Sequence, residues 1–380
     1  MRSIKTKLLS LSIALAMLLA LAGCNLSTPS SVGTIGGVEI PAGVYLLAQY
    51  NAYNTAANLA DLATGETAND VKAVLKAECT GTIGDEEVTA TGAEYVEKLT
   101  QRAIEYYAAV ETKFAELGAT LEDAATSEVA DSVESMWESN GDLYEANGIG
   151  KSSLETYLLN AQKASAILDL LYGPQGTEPV TDEEYTDFVN NSCYYIESVQ
   201  IPLVDYSTYA MADDEQKDQI MQIAEQCREQ LSEEANSQTT SSSALYEAAA
   251  TYVPQAMEAI GATMEDATQA MYYAGSGLYT PDDLASYGGE DYNNLTDPLD
   301  EAGMNQWVTI NLGTTVLVAR RIDPFKTYTI AQLTSMYDLL TPLKSEGLQN
   351  QFYADGAAMK HALDEGAMKT YSASNIKKNV

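Results

Sequence analysis

A chain of 380 residues, 46% of them hydrophobic, is long enough and apolar enough for two domains with cores of their own, which excludes disorder throughout. Twenty Lys and Arg stand against 55 Asp and Glu, a formal net charge of -35 at pH 7. Such a surface repels nucleic acid and anionic headgroups and keeps the chain soluble, so a partner held by charge is cationic.

Arg2, Lys5 and Lys7 form a basic head, followed by an apolar and small-residue run over 8–22 that closes on Leu21-Ala22-Gly23-Cys24. The run is short for a permanent span and has the charge order of an export signal. Its small-small-Cys ending is similar to the lipobox of bacterial lipoproteins. That resemblance implies removal of residues 1–23 as a signal peptide and attachment of lipid to Cys24. The protein is then expected on the extracytoplasmic face of the cell membrane, held there by its lipid anchor. Residues 24–31 are polar, with Ser, Thr and Pro, and suit a flexible tether.

Two short strands are predicted around Gly36-Gly37, over 32–35 and 38–40. Pro41 leads into a helix over about 44–63 that is dense in Tyr, Leu and Ala. A second helical segment over 71–77 precedes a polar, Gly-bearing stretch through Gly92. Val96, Leu99, Ala103, Tyr107, Val110, Phe114 and Leu117 then recur at helical spacing, with Gly118 placed to end the helix. Thr120 with Asp123 reads as a capping pair for the next helix, and Ser152 with Glu155 as a capping box for a helix over 154–172. Thr181 with Glu184 opens another, over 183–189.

The pattern changes at Cys193, where residues 193–203 read as a strand that Pro202 places near an edge or an end. Asp213 caps a long acidic helix, and a Ser/Thr-rich loop over 237–243 leads to a helix over 244–252. Residues 275–294 are expected to be largely loop. Gly261-Ala262-Thr263 echoes Gly118-Ala119-Thr120, which suggests one turn-and-cap solution used twice. Residues 307–310 and 315–322 are a strand pair, the second the most β-prone run in the chain. Helical segments follow from Ile330, ending in a frayed basic tail.

Catalytic signals are sparse. Cys79, Cys193 and Cys227 are widely spaced, so one pair is open to oxidation or all three are small core residues. The single histidine, His361, sits in a helical pattern, exposed and without a partner, so neither a triad nor a metal site is readable and no cofactor motif appears. Gly148-Ile149-Gly150-Lys151-Ser152 imitates the end of a phosphate loop, but Glu145 stands where its first glycine belongs and a helix precedes it.

The order of parts resembles a family. Val32 to Ile40 running into Tyr45-Leu46-Leu47, Gly148-Ile149-Gly150, Val180-Thr181-Asp182-Glu183-Glu184, the strands at 195–203 and 306–322, and Ala367-Met368-Lys369-Thr370-Tyr371 together look like the PrsA/SurA-type extracytoplasmic foldase lipoproteins. The resemblance implies an α+β chain: a mainly helical chaperone domain over 32–190 plus 325–380, with a parvulin-like α+β domain inserted at 191–324. It implies unfolded or nascent secreted polypeptides as partners, and it casts Tyr45, Tyr50, Tyr53, Tyr106 and Tyr107 as candidate client-binding residues. Parvulin-like domains speed X-Pro isomerisation, which is slow unaided, with two histidines, one on the first strand of the domain and one on the last. Gln200 and Thr315 stand at those positions here, so weak or absent isomerase activity is expected, since neither side chain reproduces a tuned imidazole. The alternatives are the solute-binding lipoprotein of an importer, which requires alternating βα units in two lobes, and a structural surface lipoprotein.

Overall fold

In the computed structural model the turn at Gly36-Gly37 folds β1 (Ser31–Ile35) back on β2 (Val38–Pro41). The structure describes residues 29–205, 207–234, 242–264, 267–288 and 292–378. Cys24 and most of the expected loop over 237–243 lie outside the described residues. The chain divides into two units: one runs to Asp169 and resumes at Gly347, and the other is Leu170–Glu346. Both mix helices with antiparallel sheet, and helix predominates, so the fold class is α+β.

In unit 1, α1 (Ala42–Leu59) is followed by the short α2 (Val71–Lys76) and then by a hairpin, β3 (Glu78–Ile83) and β4 (Glu86–Thr91), where the sequence suggested an irregular polar stretch. Its β-branched residues pair across the strands, with Thr80 and Thr89 hydroxyls 2.9 Å apart. The long α3 (Gly92–Glu116) packs along α1 and buries Tyr95, Val96, Ile104, Tyr107, Val110 and Phe114. Its start is set by a capping box, Thr91 with Glu94.

Two expected caps are not used. α4 (Asp123–Ala146) begins after Glu122 without a side-chain cap, so Thr120 plays no part. The helix α5 (Lys151–Tyr172) begins three residues before the expected start, with the Gly150 carbonyl accepting from Ser153 and Leu154, leaving Ser152 inside it. The suspected echo holds for the turn alone. Gly118 and Gly261 both take positive φ, 61° and 77°, and the next residue donates back five residues, Ala119 to Phe114 and Ala262 to Met257.

Unit 2 opens with α6 (Asp182–Ser192), capped by Thr181 and Glu184 as the sequence indicates. An antiparallel sheet of four strands follows, built from β5 (Tyr194–Pro202), β8 (Ala274–Tyr279), β9 (Val308–Asn311) and β10 (Thr315–Ile322). Their order across the sheet is β8-β5-β10-β9. Pro202 ends β5, where its missing N–H costs no ladder bond. A two-residue ribbon, β6 (Val204–Asp205) with β7 (Ala210–Met211), extends from that end.

One sheet face, with Val199, Ile201, Val316 and Val318, is covered by α7 (Asp214–Glu234) and α8 (Ser242–Ala259). The opposite face carries Ile196, Leu317 and Ala319 beneath α9 (Pro281–Gly288) and α10 (Asn293–Ala302). Residues 275–288 and 292–294 therefore hold a strand and helix more than loop: the weakly β-prone Ala-Gly-Ser-Gly of β8 is recruited by the free edge of β5.

Unit 2 also reaches further than the expected insert, 191–324. Val189 of α6 and Leu333 of α11 (Ile330–Met336) share a core cluster with Tyr195, Leu278 and Ile322, so both flanks belong to the sheet they cover. α12 (Leu340–Ala358) follows, then β11 (His361–Leu363), which pairs with β1, and α13 (Glu365–Thr370). His361 is thus a strand residue: the open edge of β1 overrides a helical spacing only a few residues long.

Candidate functional site

Four of the five tyrosines singled out in the sequence are core residues. Tyr45, Tyr50, Tyr53 and Tyr107 are buried on α1 and α3, with Tyr53 fully enclosed and its hydroxyl donating to the Ala68 carbonyl at 2.8 Å. Helical packing and surface display use the same three-and-four spacing, so spacing alone did not separate them. As buried side chains these four do not form an exposed client-binding patch. Tyr106 differs, because it lies on the flank of α3 and is half-buried.

Around Tyr106 a groove of 240 Å³ opens on unit 1, lined by Tyr106, Tyr107, Tyr157, Asn160, Gln349 and Tyr353 among others. α3 supplies the floor, while α5 and α12 supply the walls. α12 comes close to α3 at Gly356, where a Cβ would sit 2.3 Å from the Glu105 carbonyl oxygen; only glycine fits. That approach sets Phe352 edge-on to Tyr106 at 5.6 Å and brings Tyr353 to 5.0 Å from it. Arg102 lies over the face of Tyr353, 3.6 Å from the ring centre.

At the other wall Asn160 donates to the Tyr107 carbonyl at 3.1 Å and to Glu111 at 3.0 Å, and Lys163 pairs with Glu111 at 2.7 Å. Burial pushes the Tyr106 hydroxyl up to about 12 and raises Tyr157 as well, so both stay neutral donors at physiological pH. Chemically this is a wall of aromatic faces edged with amides and hydroxyls, suited to a peptide's side chains and carbonyls, and the Glu111 carboxylate beside it is held by Lys163 and Asn160. Tyr157 and Tyr353 were not picked out from the sequence. The available signal was Tyr353 itself, one residue past Phe352 and so rotated about 100° off the buried stripe.

The two strand positions are brought together in unit 2. Thr315 is opposite Pro202 and Leu317 is opposite Gln200, so Gln200 and Thr315 share one sheet face. Both are half-buried, and the Thr315 hydroxyl donates to the Ile201 carbonyl at 3.0 Å. Neither group ionises near neutrality, so the pair offers hydrogen bonds and no proton transfer.

On the other face, and not read from the sequence, Arg320 stands opposite Glu197. The two form an ion pair at 2.7 Å with side-chain exposures of 0% and 4%, beside the Trp307 ring at 5.0 Å. Buried this deeply, it is a fixture of the sheet.

His361 contacts Gln101 at 3.2 Å, the Gly356 carbonyl at 3.3 Å and Glu105 at 3.6 Å, which ties β11 to α3 and does not expose a solitary ring. Cys79, Cys193 and Cys227 are free and buried, and burial pushes the thiols of Cys193 and Cys227 up to about 12, far from a reactive thiolate. Among the described residues no three His, Cys, Asp or Glu are grouped to hold a metal, and no helix is long and apolar enough to cross a membrane.

Fold and groove together define a two-unit α+β protein with an aromatic groove on its helical unit and no acid–base centre at the sites described. No family model matches the chain, and no curated protein sequence is significantly similar to it. Among solved structures, the chain is similar to the crystal structure of foldase protein PrsA from Streptococcus pneumoniae strain Canada MDR_19A. The TM-score is 0.36 and the identity 9%, over 77% of this chain and 98% of that one. A superposition at that level bears on neither mechanism nor site residues.

Proposed function

We propose that this chain is an extracytoplasmic chaperone of the foldase kind, anchored to the membrane through lipid on Cys24, which holds unfolded secreted polypeptides. The observation that carries the reading is the groove around Tyr106, where half-buried Tyr106, Tyr157 and Tyr353 offer aromatic faces next to the exposed amide of Gln349. An extended segment needs both kinds of contact, apolar surface for its side chains and donors for its carbonyls. Acidic character over the rest of the chain keeps a bound client soluble and favours basic ones, with affinity falling as salt rises.

The sheet of unit 2 serves in this reading as a binding scaffold with weak or no prolyl isomerase activity, because Gln200 and Thr315 lack the ionisation that a tuned imidazole supplies. The importer alternative receives no support, since every described strand pairing is antiparallel rather than built from βα units.

Suppression of aggregation of an unfolded secreted protein by residues 24–380 tests the reading, with Tyr106→Ala and Tyr353→Ala as site variants. Protection should fall several-fold in each variant while helix content is unchanged. Equal protection by the variants would remove the groove from the function, and no protection by the unaltered chain would remove the function itself. A proline-peptide isomerisation assay on the same protein should read at the uncatalysed rate. The anchor is tested separately by palmitate labelling, which Cys24→Ala should abolish.

A further inference from the structure

The basic tail expected to fray is docked. Residues 376–378 run into unit 1 as a bound peptide would, with three contacts in a row. Ile376 is buried in the cluster that holds Leu47, Tyr50, Tyr144 and Ile149. Lys377 keeps its side chain exposed, yet its backbone is gripped from both sides. Its N–H donates to Asn147 Oδ1 at 2.8 Å, and its carbonyl accepts from Asn147 Nδ2 at 2.9 Å. Lys378 places its ammonium 2.5 Å from Asn54 Oδ1 and 3.3 Å from the Tyr50 hydroxyl, over the rings of Tyr50 at 4.9 Å and Tyr53 at 5.7 Å. Beyond Lys378 lies an open cleft of 470 Å³ with Trp137 and the carboxylates of Glu138, Asp142 and Glu145 on its wall.

This is an apolar socket, a two-point backbone clamp and a cation socket, in that order. The clamp reads a peptide unit and ignores the side chain it carries, as a strand edge does. The cation socket draws its strength from ring faces and neutral oxygens, with acidic residues behind it. Tail and groove are also complementary in charge: two adjacent lysines dock on a chain of net charge -35.

We propose that this groove is a second peptide-binding site, specific for cationic segments with an aliphatic residue two positions before a lysine or arginine, and that the chain's own Ile376-Lys377-Lys378 occupies it in cis. The proposal rests on the chain-binding reading only for the class of ligand. A tethered occupant has an effective concentration of order millimolar, so a segment supplied in trans binds well only when the tail's hold is weakened. The tail is therefore a built-in competitor that sets a threshold for basic clients.

The test is a titration of a labelled peptide, Ser-Asn-Ile-Lys-Lys-Asn-Val, against the full mature chain and its variants by fluorescence anisotropy at low salt. Lys378→Glu alters the tail and leaves the groove intact; it places an anion against Glu138, Asp142 and Glu145 and should loosen the tail. It is expected to tighten peptide binding roughly tenfold or more and to remove hydrogen-exchange protection at the Lys377 amide. Asn147→Ala added to Lys378→Glu should lose that gain, because the clamp is gone. Equal binding by the unaltered chain and Lys378→Glu overturns the proposal, and so does binding indifferent to Asn147. Circular dichroism of each variant separates release of the tail from unfolding, with Tyr371→Phe as a control that removes the same segment's bond to the Pro29 carbonyl and keeps the ring that lines the pocket beside Asn147. The aggregation assay reads the groove at Tyr106 and this titration reads the groove at Asn147, so failure of one leaves the other standing.

Discussion

The most deeply buried polar side chains of unit 1 and unit 2 differ in kind. Unit 1 uses neutral donors turned onto backbone carbonyls: the Tyr53 hydroxyl on Ala68, Tyr95 on Thr82 at 3.4 Å, Thr100 on Val96 at 2.7 Å and Asn160 on Tyr107. Unit 2 sets a full ion pair, Glu197 with Arg320, inside a sheet covered on both faces. A neutral donor tolerates a wall that shifts by a rotamer, and the groove around Tyr106 is lined largely by aromatic rings and neutral amides. A buried charge tolerates no shift, because its partner must stay opposite it in register. The difference sets a helical unit tied by neutral hydrogen bonds against a sheet locked by a charge pair.

The largest expected effect tests that rigidity. Arg320→Ala leaves a buried carboxylate without its cation and should cost ~3–5 kcal/mol, whereas replacing both Glu197 and Arg320 by Met and Leu should be neutral or stabilising by ~1–4 kcal/mol. Hydrogen exchange resolved by segment is the measurement. Protection in β5 and β10 should collapse in Arg320→Ala while that in α3 is retained. Equal loss in both units would mean that they unfold as one, and the contrast drawn between them would fail.

How much of this was legible in the chain depends on the range of the interaction. β10 reads correctly from end to end because its eight residues are β-prone throughout, and Thr181 with Glu184 reads correctly because a capping box is complete within four residues. β8 and β11 were invisible. Neither Ala-Gly-Ser-Gly nor His-Ala-Leu has strand character of its own, and each exists because a neighbour, β5 or β1, offers an unpaired edge. Tyr106 was found among four buried tyrosines that share its spacing, and Tyr157 and Tyr353 were missed. A groove depends on which helices meet, and one chain's spacing does not contain that. Gln200 and Thr315 could be placed on one sheet face only once the register was known. The ion pair of Glu197 with Arg320 crosses 123 residues, and nothing local marks it.

A smaller effect sharpens the comparison at the helix ends. Thr91→Ala in unit 1 and Thr181→Ala in unit 2 each remove a capping box and should cost ~1 kcal/mol. Thr120→Ala, at a position that looked like a cap and is none, should stay within ~0.5 kcal/mol. Urea denaturation of the three variants decides it: a Thr120 cost equal to the others would place α4's start earlier than Asp123.

The smallest effect is confined to an exposed contact that closes unit 2 on itself. Glu184 accepts from Lys344 at 2.8 Å and from the Thr181 backbone N–H at 2.9 Å, linking the flank before β5 to the flank after β10. The Lys344 ammonium first, and the Thr181 donors next, pull its carboxyl down to about 2. An unfolded glutamate titrates at about 4.3. The folded value lies below the unfolded one, so the contribution is complete above that pH and disappears as pH falls toward about 2. Lys344→Met removes the first cause and should raise the Glu184 titration toward the ordinary value, shortening the acid range over which unit 2 gains from it. Glu94 of unit 1 is lowered by Thr91 hydrogen bonds in the same box geometry, with no cross-element lysine as its leading cause. Side-chain carboxyl NMR titration should therefore show Glu184 moving in Lys344→Met and Glu94 standing still. A Glu184 that does not move would mean the capping box alone holds it, and the two units would then cap these helices by the same means.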